Sequence, residues 1–436
     1  MTYKEARVYL DEMSKYGSVL GLDAIRGLLR ELKDPQEDLK FIHIAGTNGK
    51  GSVLAYTSTV LSKAGYRIGR YVSPTVIGYL EKMQIDGTWI SETEFTELTE
   101  EVREAIARLE TAGEPLPTLF EVETAMAFLY FKKNHCDLVV LETGLGGELD
   151  ATNIVKNTIC AVFATISRDH LGVIGDTLEE IAQTKSGIIK PGCKVVSARQ
   201  EKSVSQILRE KAEKYNCSYT EATLEELQVV SEDYKSMRVN YKEYRNLRSS
   251  LTGAHQRTNL ATALETITAL RKSGYQIPEE AVREGIAETV WRGRFTCLME
   301  SPVFMIDGAH NEDAAYRLRE SVETYFADKE LILIMGVFKD KEYEKIASIL
   351  CPLARSVYTV DLPNKERTLS AIGLAETASK YCGQVKAETE IKNAVEDAIR
   401  EAKEQPEERV ILACGSLSYL GGVSSLVKDM RENREE

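Results

Sequence analysis

The chain has no apolar run approaching the roughly 20 residues a bilayer-spanning helix needs. Its opening residues, Met1-Thr2-Tyr3-Lys4-Glu5, are polar and lack the apolar stretch of a secretory signal. A cytoplasmic protein without a membrane partner is therefore expected. Basic charge is in deficit, with 55 Lys and Arg against 68 Asp and Glu, a net charge of −13. That balance argues against nucleic acid as a partner, because phosphate neutralisation needs an excess of cations. An anionic small molecule would need a local cationic pocket. None of the 8 cysteines (136, 160, 193, 217, 297, 351, 382, 414) falls in a CxxC pair. This argues against a zinc site and against a disulfide framework, and predicts buried free thiols. No repeat, low-complexity tract or Gly/Ser/Pro-rich linker marks the chain.

What is present is a globular composition of 436 residues, 43% hydrophobic and 28% charged. That length suggests more than one core. Short apolar runs alternate with helical patterns, which predicts an α/β fold. Strands are expected at 39–45, 68–72, 138–141, 159–165 and 194–198, and helices at 50–64, 92–112, 121–133 and 178–189. Residues 218–250 are polar, with Val and Tyr alternating among charges, and predict small antiparallel strands or a surface excursion. The helical period returns at 259–272. Further strands are expected at 303–306, 331–335, 356–360 and 409–413. The reading is a P-loop-type, mostly parallel sheet in an N-terminal domain (1–296), then a smaller Rossmann-like α/β domain (297–436).

The most informative segment follows the first strand: Gly46-Thr47-Asn48-Gly49-Lys50-Gly51-Ser52, leading into a helix. Glycines allow a tight turn and close approach of backbone to ligand. N–H groups at a helix N-terminus favour an anion. Lys50 supplies a point charge for β- and γ-phosphates, and Ser52 or Thr47 offers a hydroxyl to phosphate or Mg²⁺. The segment departs from the standard P-loop, with Ile44 in place of the first glycine and Gly51 between Lys50 and Ser52.

These residues resemble the nucleotide loop of the Mur ligase superfamily, in particular its folylpolyglutamate synthase and dihydrofolate synthase branch. Other segments agree, in the family's order. They are Tyr71-Val72-Ser73-Pro74, Pro117-Thr118-Leu119-Phe120-Glu121, Leu141-Glu142-Thr143-Gly144-Leu145-Gly146-Gly147, Asp150-Ala151-Thr152-Asn153, Asp169-His170, and Lys185-Ser186-Gly187-Ile188. Then come Gly253-Ala254-His255-Gln256, Gly293-Arg294-Phe295, Asp307-Gly308-Ala309-His310-Asn311 and Gly415-Ser416-Leu417. The resemblance implies an ATP-dependent ligase that phosphorylates a carboxylate and couples it to L-glutamate. The acceptor would be a folate or dihydropteroate.

By the same resemblance, Gly46 to Ser52, Asn259, Arg294 and Asp307 bind ATP, and Lys50, Lys185 and His310 are catalytic. Ser73, Glu142 and His170 would hold Mg²⁺. Lys185 would be carbamylated and help hold a second Mg²⁺; carbamylation needs a neutral amine, hence a depressed pKa. Thr118, Phe120 and Glu121 would meet the pterin side, with Tyr16–Ile25 as a substrate loop and Ser416 near glutamate. A monomer is expected. The chain departs from the family at Thr75, where His is usual, and at Glu81-Lys82-Met83-Gln84-Ile85, where an Arg-rich run is usual. Alternatives are another Mur-type amino-acid ligase, a P-loop small-molecule kinase or ATPase, and a non-catalytic nucleotide binder.

Overall fold

A computed structural model describes residues 1–13, 17, 21–169 and 172–432. Its contacts draw two compact units: Met1–Pro74, Tyr79–Leu227 and Thr258–Thr289 form one, and Thr75–Gly78, Gln228–Arg257 and Val290–Glu436 the other. The expected cut at residue 297 is thus replaced by a boundary the chain crosses repeatedly.

The first unit opens with α1 (Tyr3–Glu12) and α2 (Asp23–Glu31). Strand β1 (Phe41–Ala45), α3 (Lys50–Lys63) and β2 (Ile68–Tyr71) follow, then a hairpin of β3 (Met83–Ile85) and β4 (Thr88–Trp89). Helices α4 (Glu92–Ala112) and α5 (Leu119–Lys133) lead to β5 (Leu138–Glu142) and β6 (Thr158–Phe163). The unit's sheet is completed through α6 (Leu178–Ser186), β7 (Lys194–Ser197), α7 (Lys202–Lys214) and β8 (Ser218–Glu221). The strand order is β4-β3-β2-β5-β1-β6-β7-β8, parallel from β2 to β8, with β3 and β4 antiparallel at one edge.

Strands β1 and β5 are buried along their whole length, as a parallel strand covered on both faces must be. That is why Phe41–Ala45 and Leu138–Glu142 read as mostly apolar runs, broken by His43 in the first and ended by Glu142 in the second. Strand β8 does not, because it is the sheet's edge and only half buried. The expectation for 218–250 is corrected there: 218–221 extends the parallel sheet. The remainder does form a small three-stranded sheet, of β9 (Leu227–Glu232), β10 (Met237–Tyr241) and β11 (Tyr244–Ser249). Within the departure at 81–85, Met83–Ile85 is the buried strand β3.

Phe41, Val139 and Leu141 pack under α2, α4 and α5, while Ala161, Phe163 and Val195 pack under α6 and α7. Helix α3 contacts β1, β2 and β5 and packs on α9 (Glu279–Glu288), which follows α8 (Ala254–Lys272).

The second unit has a six-stranded sheet of β12 (Thr296–Glu300), β13 (Val303–Ile306), β14 (Glu330–Met335), β15 (Ala354–Val360), β16 (Val385–Glu388) and β17 (Arg409–Cys414). Its order is β12-β13-β17-β14-β15-β16, parallel except for the edge strand β12. Alternate residues feed two cores: Met305, Leu333 and Leu412 one, Phe304, Ile334 and Ile411 the other. The expected α/β architecture is present in both units. All 8 cysteines are free thiols, and among the described residues no helix is long and apolar enough to cross a membrane.

The α3–α9 contact is close enough to test. A Cβ on Gly285 of α9 would stand 2.6 Å from Val60 Cα, so backbone would have to shift. Gly285→Ala is expected to destabilise the fold by roughly 1–3 kcal/mol through overpacking. Urea unfolding at unchanged slope checks this; a neutral result would mean the two helices separate easily.

Candidate active site

The phosphate loop leaves β1 at Ala45 and enters α3 at Lys50. Gly49 is the helix N-cap at φ 92°, a left-handed conformation that favours glycine. It has no side chain to satisfy the first-turn N–H groups, the arrangement that serves an anion. The loop is clamped from beyond β6. Thr47 and Asn48 N–H donate to Thr165 O at 2.8 and 3.2 Å. Thr47 Oγ1 donates to Ser167 O at 2.9 Å and accepts from Ser167 N at 3.1 Å. Of the two hydroxyls expected to serve the ligand, Thr47's is therefore committed to shaping the loop. Asn259 of α8 meets the loop from the other side, and a Cβ on Gly49 would lie 2.3 Å from its Oδ1.

Two lysines converge on one carbonyl. Lys50 Nζ donates to Gly46 O at 3.2 Å and Thr47 O at 3.3 Å; Lys185 Nζ donates to Gly46 O at 3.0 Å. A lysine on a helix is usually solvated, but Lys185 is only 4% exposed. Burial first, and then the Lys50 charge, lower its pKa to about 7, against the opposing pull of Asp169 and Asp150. Lys50 Nζ also lies 3.9 Å from Glu142 Oε1.

Glu142 is buried at the C-terminal end of β5, the sheet edge where α/β ligands bind. Its Oε2 accepts from Ser73 N–H at 3.3 Å, so two of the three expected magnesium residues meet. His170 lies outside the described residues, as does part of the Tyr16–Ile25 loop. Among the described residues, no group of three or more His, Cys, Asp or Glu is placed to hold a metal.

Thr118 and Glu121 form a capping box at the start of α5. Glu121 Oε2 accepts from Thr118 N and Oγ1 at 2.7 and 2.8 Å, and Oε1 from Ile25 N at 3.1 Å. These polar atoms are thus spent on ordering α5 and joining it to α2. Phe120, half-buried between them, rests against Gly144.

In the second unit, Asp307 follows β13. Its Oδ2 accepts from Phe295 N and its Oδ1 from Ala309 N, both at 2.8 Å. Burial raises its pKa, and Arg294 opposes that. Arg294 Nη1 lies 3.2 Å from where a Cβ on Gly308 would be. His310 Nδ1 is 2.8 Å from Gly308 O; a carbonyl only accepts, so Nδ1 carries a proton. Ser416 caps the turn after the adjacent β17. Arg294, Asp307, His310 and Ser416 are therefore gathered at the C-terminal edge of β13 and β17, while the loop residues, Asn259, Glu142, Ser73 and Lys185 belong to the first unit.

The sequence reading assigned no role to Asp150, Thr152, Asn153 or His43, yet these organise the Gly144–Gly147 loop. Asp150 Oδ2 accepts from Leu145 N at 2.6 Å, and Asn153 Nδ2 donates to Glu148 O at 3.0 Å and Gly187 O at 3.1 Å. The Asp-x-Thr spacing of a side-chain-capped turn was the available signal, and His43, polar within an apolar strand, was a second.

A mostly parallel sheet with a strand–glycine loop–helix cradle, followed by a second α/β unit, defines a nucleotide-dependent ligase of the Mur type. The model for the Mur ligase middle domain matches residues 44–267, and that for the Mur ligase glutamate ligase domain matches 293–417. The dihydrofolate synthase/folylpolyglutamate synthase of Bacillus subtilis is 31% identical, over 98% of this chain and 99% of that one. The solved Mycobacterium tuberculosis folylpolyglutamate synthase, complexed with ADP and AMPPCP, superposes with a TM-score of 0.87 at 28% identity, covering 98% of this chain and 99% of that one. E. coli FolC in complex with DHPP and ADP gives a TM-score of 0.85 at 28% identity, with 98% of each chain covered. The chain belongs to the folylpolyglutamate synthase and dihydrofolate synthase family.

Lys185 supplies a pH test. Unfolded, its amine titrates near 10.5; folded, at about 7. Between those values the unfolded chain binds the extra proton, so this residue makes stability rise with pH across that window. In CO₂-free buffer, Lys185→Met is expected to be more stable than wild type near pH 7, with the advantage shrinking toward pH 10. Urea unfolding at several pH values would contradict this if the difference were constant.

Proposed function

We propose that this chain is an ATP-dependent amide ligase that joins L-glutamate to the carboxylate of a folate, of dihydropteroate, or of both. The observation that carries the reading is the convergence of Lys50 and Lys185 on Gly46 O beside Glu142, at the C-terminal edge of the sheet. The acceptor carboxylate attacks the γ-phosphorus of ATP, giving an acyl phosphate and ADP. The glutamate amine then attacks the acyl carbon, phosphate leaves, and the amide nitrogen loses its proton.

Both partners of the first step are anions, so the chain's contribution is positioning and charge. Gly46 to Ser52 wrap the phosphates, and Lys50 follows the β- and γ-phosphates. Asn259 holds the loop at Gly49. Glu142 and Ser73 supply an oxygen-donor pair suited to Mg²⁺, which keeps most of its shell as water and phosphate oxygens. When bound, magnesium would neutralise charge building on the transferred phosphoryl group. Phe120 offers a ring to the flat heterocycle, held in place by the Thr118–Glu121 cap. Arg294, Asp307 and His310 take the remaining nucleotide roles, and Ser416 a glutamate contact. We place the enzyme in the cytoplasm as a monomer.

The pKa of about 7 leaves the Lys185 amine largely neutral above neutral pH, the form that reacts with CO₂ to give a carbamate and a proton. That modification turns a buried neutral amine into an anion able to help hold a second magnesium ion.

Two experiments test this. ADP release with L-glutamate and either dihydropteroate or tetrahydrofolate should be seen, and Lys50→Ala or Glu142→Ala should each lower kcat by roughly 10²–10³. Turnover that survives both substitutions sinks the assignment. Second, ¹³C-labelled bicarbonate should give one carbamate NMR signal that Lys185→Ala abolishes. A spectrum without it, or one unchanged in the variant, rejects the carbamate.

A further inference from the structure

We infer that His43 is a positioning residue for the proposed reaction, acting through Thr152 and Asp150 to hold the Gly144–Gly147 loop. The inference rests on the ligase reading for its kinetic consequence, though not for its structural one.

His43 is the central residue of β1, with 0% exposure, between Ile42 and Ile44 at 0% each. An imidazole there is poorly explained by stability. Its Nδ1 is buried and has no hydrogen-bond partner, a cost that a leucine would not carry. Its other nitrogen is used. Nε2 lies 2.9 Å from Thr152 Oγ1, and Thr152 Oγ1 lies 2.5 Å from Asp150 Oδ1.

The proton directions follow from the end of the chain. Asp150 accepts from Thr152 N at 3.0 Å through Oδ1 and from Leu145 N at 2.6 Å through Oδ2, so it acts as an acceptor at both oxygens. The Thr152 hydroxyl therefore donates to Asp150, which leaves its lone pair to accept from His43 Nε2–H. Burial lowers the His43 pKa to about 3, so the ring is neutral and carries a single proton, on Nε2.

The far end of this relay lies in the site. Leu145 is three residues beyond Glu142, and a Cβ on Gly147 would stand 2.7 Å from Lys185 O. The loop is thus laid directly on the backbone of the buried lysine. His43 is also two residues before Ala45, where the phosphate loop leaves β1. The relay ties the strand that delivers the phosphates' cradle to the loop that joins Glu142 and Lys185.

The test uses the full-length enzyme with His43→Leu, Thr152→Val, the double variant, and Thr152→Ser, which keeps the hydroxyl. Hydrogen exchange is read first. Amides of 144–148 should exchange at least about tenfold faster in His43→Leu, with β5 unchanged. Each apolar variant should then lose about 10- to 100-fold in kcat with little change in KM for ATP. The double variant should be no worse than the worse single one, because both cut the same chain, and Thr152→Ser should recover most of the rate. The pH–rate profile should keep its shape, since the ring does not titrate in the working range. Unchanged exchange at 144–148 in folded His43→Leu, or fully additive losses, would overturn the relay. A wild type inactive with every acceptor would overturn the ligase reading, and exchange would still decide the relay.

Discussion

One carbonyl oxygen, that of Gly46, accepts from both Lys50 and Lys185. Two ammonium groups sharing one acceptor repel each other, and the buried one has also lost its hydration. The more buried one yields. Lys50 is partly exposed and lies beside Glu142, whereas Lys185, at 4% exposure, has its pKa lowered by burial and by the Lys50 charge. A shared backbone acceptor thus turns two similar side chains into different chemical tools.

This arrangement lasts only if its three carriers hold their places. The phosphate loop is pinned by Thr165 and Ser167 and has Asn259 against Gly49, so its shape depends on the segment after β6 as well as on its own glycines. Helix α6, which carries Lys185, is fixed by Asn153 through Gly187 O. Glu142 sits at the last position of β5, where the sheet ends and its carboxylate can meet Ser73. The short turn at Asp150–Asn153 touches two of these carriers and, through Thr152, the strand that feeds the third. In the second unit Asp307 plays a comparable part, its carboxylate bridging Phe295 and Ala309 N–H and so shaping the strand end that presents Arg294 and His310.

The chain by itself determined the class of fold and the family. Buried parallel strands are mostly apolar, so β1, β5, β13 and β14 were legible, and so were helices that begin at capping residues, such as α4 at Ser91. The ordered glycine and acidic motifs were legible because each is a local requirement: a turn, a close approach, a charge at a strand end. Edge strand β8 was not, because half-exposed strands need not be apolar. Nor was the division into units, since the chain enters the second unit at 75–78 and 228–257 as well as at 290.

Only the tertiary structure decided what several residues do. Glu121 became the link between α5 and α2 because Ile25, distant in sequence, supplies the N–H that its Oε1 accepts. Thr47 became a loop brace because Ser167 arrives beside it. Lys185 became a neutral-prone amine because folding buried it next to Lys50. Hydrogen-bond saturation, desolvation and charge proximity are properties of where atoms meet in space, and a linear sequence carries the side chains without those meetings.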